Sequence, residues 1–544
     1  MTDSGVVEVS FRRITVVLTF LALSVTGPIP AFARSFPHPE AQKGGGFSKY
    51  RNARGPICTT SSTAANVNTD CENVAPVNET AIAVNPLNPL NMIGSANDVQ
   101  LKVSPGGTVH QLVFSRAHVT TDGGRTWTTY PVPFESYKVT GDPSVAFDSN
   151  GSAYLATLGF GNESNPDVLV SHSSDGGETW STPARVASGT GSFHGKGVLH
   201  DHPILTAWGD GNVVVTWIRY VFGPHFILAS APMDDSVSHD GGVTWSNPVD
   251  ISGSADFCVG LSAPNACDQT WGNAPAISDT GRLVVSFYDT YQYTPDGATN
   301  LGRDTHMVVQ VDPDTGQLIA GPYMIGLAYD GINEQDYPVD VVGRQTLQDS
   351  EFRLLHQGNI VADPTDPTGN HFAVAWFDDR NAPHPVDPDP YQAVTNADII
   401  VSQTFDGGVT WSDPQAIVEP NDQFMPWAAY DDSGRLRVGY FDRSYDAANH
   451  QYGYTLATET APGSLNFSLA QVTTELSDPT QGDRWYRGTF DPDFPDATVF
   501  LGDYSGIAAI PGGGVATYWT DMRETACLLD TCGHGQDAFY ATMP

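Results

Sequence analysis

Short apolar segments recur along the chain, and each runs into a polar turn. They begin near Thr80–Val84, Pro143–Phe147, Pro203–Trp208, Ala274–Ile277, Gly358–Val361, Pro426–Tyr430 and Gly506–Ile510. Turns follow near residues 85, 148, 209, 279, 363, 432 and 512. A second apolar segment then ends in aromatic or charged residues. Runs this short, rich in β-branched and aromatic residues and bounded by turn formers, predict strands rather than helices. The steps between turns, 63, 61, 70, 84, 69 and 80 residues, suit units of three or four strands. Seven such units predict an all-β chain folded as a single β-propeller, whose radial repetition protects sheet edges. A six-bladed ring with one irregular excursion is the alternative. Stacked β-sandwiches would need linkers, and no low-complexity stretch interrupts the chain after about residue 75.

Each unit divides into strands A to D, from innermost to outermost. The seventh has A near 506–510, B near 515–519 and C at Asp537 to Thr542, and it lacks a D strand. The extension over 34–76 offers a segment to fill that place and close the ring, leaving 77–544 as the propeller.

An octad punctuates the pattern. Thr120-Thr121-Asp122-Gly123-Gly124-Arg125-Thr126-Trp127 returns with its aspartate at Asp175, Asp240 and Asp406, at separations of 53, 65 and 166 residues. The last gap leaves room for two degenerate copies, one near Val311–Gly316. Asp-Gly-Gly supplies positive φ and a side-chain bond to the backbone, and the closing Trp starts the next strand with its N–H available to a turn carbonyl. Nothing in the octad requires a substrate, so its role is structural.

These octads match the Asp-box, and residues from about 75 to 544 resemble the sialidase-like BNR-repeat propellers. The resemblance implies the fold more than an activity, since the same box occurs in enzymes, receptors and binding propellers. It implies an active site on the face opposite the boxes, where A strands start and B strands end. The family's first-blade arginine is missing, because Asn78-Glu79-Thr80-Ala81 stands there. Its nucleophilic tyrosine has a counterpart in Tyr504-Ser505. Six blades are usual in that family, against seven counted here.

The strand ends on that face are polar. The A starts carry Glu79, Asp142, His200-Asp201-His202, Asn273, His356-Gln357 and Asp503-Tyr504. The B ends carry Ala96-Asn97-Asp98, Arg219, Asp289, Arg380, Arg443 and Arg523. Glycoside cleavage commonly uses two acids, or an acid with another nucleophile. Tyr504 is the nucleophile candidate by position, with Glu79, Asp142, Asp201 and His202 as candidate acids or bases. Arg219, Arg380, Arg443 and Arg523, with Asp503, are the candidate substrate-binding groups, because a guanidinium fork suits a carboxylate or sugar hydroxyls. The competing reading is that these arginines pair with aspartates across blades and lock neighbouring loops. His200-Asp201-His202 reads as a base, a metal-ligand set or a satisfied loop cluster. Long insertions at 186–200, 330–356, 381–397 and 484–503, with Tyr391, Trp485 and Tyr486, suit a rim around a saccharide pocket.

Charge narrows the partners. Asp plus Glu is 62 and Lys plus Arg 25, a formal net charge of −37. That excludes a general nucleic-acid binder and disfavours docking on an anionic membrane. No cofactor is required; a structural calcium fits the acidity, with Asp363-Pro364-Thr365-Asp366 and Asp387-Pro388-Asp389 as weak positions. No nucleophile elbow, phosphate loop or dinucleotide fingerprint occurs. A monomer is expected.

Residues 1–33 have the form of a secretory signal: Arg12 and Arg13, the apolar run Ile14–Val25, then Ala31-Phe32-Ala33. A buried strand is the competing reading. Export suits six cysteines in near pairs, Cys58 and Cys71, Cys258 and Cys267, Cys527 and Cys532, although six permit fifteen connectivities. These features predict an extracellular glycoside hydrolase of sialidase-like type. A lyase acting on a uronate-containing glycan, and a non-catalytic propeller that binds glycan or protein, are the alternatives.

Overall fold

The chain forms a ring of seven β-sheets in a computed structural model. It describes residues 55–544 apart from 72–74, 104–108, 135–136, 162–163, 192–195, 291–302, 330–336, 338, 342–343, 351, 383–393, 482–499 and 529–530. The leader-like segment, Asp387-Pro388-Asp389, Tyr391, Trp485 and Tyr486 lie outside the described residues.

Each blade is an antiparallel sheet whose principal strands follow chain order outward from the axis. The inner strands are Val77–Val84, Val139–Phe147, Gly197–Trp208, Thr270–Ile277, Asn359–Ala362, Gln423–Tyr430 and Gly506–Ala509. The seven apolar segments of the sequence pattern therefore converge on one axis. Second strands such as Ala153–Phe160, Phe372–Asp378 and Val515–Asp521 are buried along their whole length, being packed by a blade on either face.

The seventh blade contains only three strands from its own stretch of chain. Its fourth place is taken by Val67–Asn68, which pairs with Asp537–Met543. Nearby, Cys58–Ser61 adds a fifth strand to the first blade by pairing with Thr126–Tyr130. A disulfide joins Cys58 to Cys71, so one short segment ties the first blade to the last. A second disulfide joins Cys258 to Cys267. Cys532 is disulfide-bonded too, and Cys527 faces it across the Thr525–Leu528/Thr531–His534 hairpin. No described helix is long and apolar enough to cross a membrane.

The octads form the turns between third and fourth strands. At the first, Asp122 Oδ1 accepts the backbone N–H groups of Arg125 and Thr126 at 3.0 and 2.9 Å. Trp127 Nε1 donates to the Gly124 carbonyl at 3.0 Å. The same Trp bond recurs at Trp180, Trp245 and Trp411. Gly124 is required twice over: its φ is +91°, and a Cβ there would stand 2.1 Å from the Tyr540 ring. Among the described residues, one degenerate copy stands between Asp240 and Asp406, the turn at Asp312–Gly316 that joins Arg303–Val311 to Leu318–Tyr329. No second copy stands among them, where one complete blade fills the gap.

Candidate active site

One backbone irregularity builds the centre. In five blades the inner strand carries a bulge against its neighbour, at Asn78/Ala81, Gly141/Ser144, Asp201/Ile204, Trp271/Asn273 and Phe424/Trp427. Each bulge holds a residue at positive φ: Glu79 at 55°, Asp142 at 56°, His202 at 53°, Gly272 at 47° and Met425 at 49°. Such dihedrals cost a residue bearing a Cβ about 1 kcal/mol or more. Pro143, Pro203 and Pro426 follow three of them, where the ladder is interrupted and no N–H is needed. Bulges of this kind re-aim side chains. Here they bring together Glu79, Asp142, Asp201 and His202, and Asp503 and Tyr504 join them from the seventh blade.

The carboxyls interact directly. Glu79 and Asp201 each share a side-chain hydrogen bond with Asp142. Burial, then the charges of Asp142 and Asp503, push Glu79 well above the usual carboxyl range, against the pull of Arg353. Burial and Asp142 do the same to Asp201. Both therefore retain protons where a solvated carboxyl would not. Asn97 sets their geometry: its Nδ2 donates to Glu79 Oε2 at 2.6 Å, and its Oδ1 accepts the Asp142 N–H at 2.9 Å.

Arg353 is the cation of this cluster, and it comes from the connection before the fifth blade. Its Nε and Nη2 donate to Asp503 Oδ1 and Oδ2 at 3.1 and 2.5 Å. Its guanidinium lies 4.5 Å from the Phe500 ring centroid. Burial opposes its charge, but Asp503, Glu79 and Asp201 outweigh burial and raise its pKa. Sequence reasoning missed Arg353 because no strand end or repeat marks it.

The Tyr504 hydroxyl donates to the Pro143 carbonyl at 3.0 Å. Its ring meets His202 edge-on at 5.2 Å and lies 5.9 Å from Trp427. Burial, then Glu79, Asp142, Asp503 and Asp201, push its ionisation well up, so a phenolate is disfavoured. Burial lowers the His202 pKa although Asp142 and Asp503 oppose the fall. His200 packs against Trp217 instead, with ring centroids 5.8 Å apart. An axial cavity of about 300 Å³ continues from Tyr504 and Trp427 along the later residues of the inner strands, among them Ser144, Leu205, Ala276 and Ala429.

The four arginines chosen from the sequence are engaged elsewhere. Arg219 pairs with Asp234 and Asp250 at 2.7 and 3.4 Å. Arg380 forks onto Asp378 and reaches the Leu327 carbonyl of the preceding blade. Arg523 forks onto Asp521 in the same way and reaches Asn66 and Thr474. Arg443 is fully buried, 3.7 Å from Asp422 and bonded to Asn449 and Ser350. The ion pairs lie within single blades and not across them, and it is the remaining hydrogen bonds, such as Arg380 to Leu327 and Arg523 to Thr474, that reach neighbouring blades.

Among the described residues, the group whose potential ligand atoms converge is Cys258, Cys267 and Asp289, and both cysteines are spent on their disulfide. Asp363 bonds Thr365 and His371, at 2.7 and 2.8 Å, and Asp366 bonds Thr368 and backbone N–H groups. Neither turn needs an ion.

No protein-family model matches the sequence, and no curated protein matches it. Solved structures of similar fold include an α-L-arabinofuranosidase of Fusarium graminearum in complex with arabinobiose, with a TM-score of 0.40 and 13 % identity over 70 % of this chain and 92 % of that one. A Hadza microbial sialidase has a TM-score of 0.40 and 12 % identity over 90 % of this chain and 95 % of its own. An ulvan lyase has 0.38 and 10 % over 77 % and 97 %.

Proposed function

We propose that this chain is a secreted glycan-active hydrolase that cleaves a glycosidic bond at the axial carboxyl cluster. The observation that carries the reading is that Glu79 and Asp201, both raised by burial, meet at a third carboxyl, Asp142. Glycoside cleavage needs a carboxylic acid to protonate the leaving oxygen and a carboxylate to act at the anomeric carbon, directly or through water. A buried acid that keeps its proton near neutrality suits the first task. Glu79 or Asp201 would serve as the acid. Asp142, less buried than either, would serve as the carboxylate once a bound sugar takes the place of the hydrogen bond between it and the acid, since the reaction needs the two roughly 5–9.5 Å apart. Tyr504, bonded to a backbone carbonyl, is better placed to shape the site than to attack.

A screen on natural glycans, reading new reducing ends and unsaturated uronate absorbance together, tests the reading. Hydrolysis yields reducing ends without the absorbance, and Asp142→Asn should abolish it. Appearance of the absorbance would favour the lyase. Binding without product across the panel would favour the non-catalytic propeller.

A further inference from the structure

We infer that the axial site takes an uncharged sugar and rejects carboxylated ones, and that Asp503 sets this selectivity by occupying the guanidinium of Arg353. This rests on the hydrolase reading and names its substrate class.

The acids are not spread evenly round the axis. Asp503, Glu79, Asp142 and Asp201 come from the seventh, first, second and third blades, which are contiguous in the ring. The opposite arc presents Gly272, Gln357, Met425 and Trp427, none of them charged. Arg353 faces the acidic arc, and its fork is matched bidentately by Asp503 at 3.1 and 2.5 Å. Asp503 thereby takes the side-on Nε–Nη2 edge of the guanidinium, leaving a substrate carboxylate only the end-on Nη1–Nη2 edge in a buried site. Arg219, Arg380, Arg443 and Arg523 are all paired away from the cluster. The arc sets four carboxyl groups, Glu79, Asp142, Asp201 and Asp503, against the guanidinium of Arg353. A carboxylated sugar would be desolvated against a negative excess, which is a repulsive element of the kind that creates specificity.

The polar atoms left unmatched in the same place belong to neutral groups. His202 and Gln357 are 6 % and 2 % exposed. Neither His202 Nε2 nor Gln357 Oε1 has a hydrogen-bond partner. Asn273 Nδ2 lies 3.1 Å from His202 Nδ1, and as a donor it fixes the imidazole proton on Nε2. Gln357 Nε2 donates to the Asp503 carbonyl at 2.7 Å, which leaves Oε1 as an acceptor. One buried donor and one buried acceptor complement sugar hydroxyls, since each hydroxyl both gives and takes a hydrogen bond. The half-buried Trp427 adds a ring face beside them.

Calorimetry on the full chain at neutral pH tests this with matched pairs of oligosaccharides, each neutral glucan or galactan oligomer beside its unesterified, ionised uronate counterpart. The wild type should bind the neutral member of a pair at least about tenfold more tightly, and Asp503→Asn should narrow the gap to about threefold or less by releasing Arg353. Equal or tighter binding of the acid by the wild type overturns the inference and leaves the hydrolase reading standing. If Asp503→Asn does not fold, that wild-type comparison still decides the substrate class. A folded Asp503→Asn with unchanged preference removes Asp503 from the role. Absence of binding and of cleavage across both series overturns the hydrolase reading, and this inference with it.

Discussion

Asn97 holds Glu79 through a 2.6 Å bond from its amide nitrogen to Oε2, while its amide oxygen receives the Asp142 backbone N–H. One side chain thus fixes both an acid and the loop that carries its neighbouring carboxyl. A donor to a carboxyl oxygen favours the ionised form. Asn97→Ala should therefore raise the Glu79 pKa further. If Glu79 is the general acid, the alkaline limb of the kcat/KM profile should move to higher pH. Loss of the two buried bonds should cost about 1–3 kcal/mol in denaturant unfolding. An alkaline limb that stays in place would assign the acid to Asp201.

Asp142→Asn separates chemistry from folding. Asn tolerates positive φ better than most residues, so the 56° backbone at this position survives the exchange. Removing the charge relieves Glu79 and Asp201 of a repulsion, and both should titrate lower. Activity should fall by about 10²-fold or more, with a melting temperature near that of the wild type. NMR titration of the labelled carboxyls would show the downward shift.

Asp235 is buried in the third blade with neither carboxylate oxygen hydrogen-bonded. Burial, then Asp234, pushes its pKa up to about 8. A carboxyl raised on folding binds more protons folded than unfolded, so its contribution is complete at acid pH and is lost as pH rises towards 8. Asp235→Asn should remove that loss. Its stability relative to wild type should climb from about pH 4 to about pH 8, at about 1.4 kcal/mol per pH unit, and level off above. Buried histidines act in the opposite sense. Burial lowers His118 and His306 to about 3 and His200 and His356 to about 4. Their contribution is present above the unfolded value near 6.5 and fades as pH falls towards those values. The two ranges overlap between about pH 4 and 6.5, so the stability maximum of the wild type should lie where the opposing slopes cancel, as unfolding across a pH series would measure.

Cys58→Ser with Cys71→Ser should lower stability by about 2–4 kcal/mol, since the bridge limits the unfolded chain over 13 residues and also anchors the closing strand. Deleting residues 34 to 76 should do more, leaving the outer edge of the seventh blade unpaired and the chain prone to aggregate. Melting unchanged by that deletion would remove the segment from ring closure.

Asp175→Ala should cost about 1–2 kcal/mol through its bonds to the Thr179 N–H and hydroxyl. Substrate preference should not change, because the turn lies at the far ends of the strands from Glu79 and Asp142. Altered preference at unchanged stability would contradict a structural role for the octad.

The architecture was legible because repetition is. An Asp-Gly-Gly turn and an apolar inner strand recur at blade spacing, and each has a local physical cause. Glu79, Asp142 and Asp201 were legible as polar residues opening apolar strands. The hydrogen bonds joining them were not, because contacts between blades depend on the bulges, and an Asn-Glu-Thr or Gly-Asp-Pro triplet does not announce one. The arginines misled in a specific way. Trp376-Phe377-Asp378-Asp379-Arg380 and Trp519-Thr520-Asp521-Met522-Arg523 are one motif, in which the Asp takes both the Arg fork and the Trp N–H. Its recurrence signalled a structural clasp, whereas the unrepeated Arg353 sits at the axis.

The strand at Val67–Asn68 has a consequence for the order of events in folding. Thr69, next to it, donates its hydroxyl to the Ala538 carbonyl at 3.0 Å, across 469 residues of chain. Synthesis from the N-terminus delivers this strand before any blade exists and its partner after all the others. Six blades can therefore assemble in sequence as they emerge, but the seventh must wait for a segment made at the outset. Contacts of such long range form slowly and leave intermediates with open edges. The late, rate-limiting event in refolding should be the meeting of the two ends, and an aggregating species should be a ring that has not yet shut.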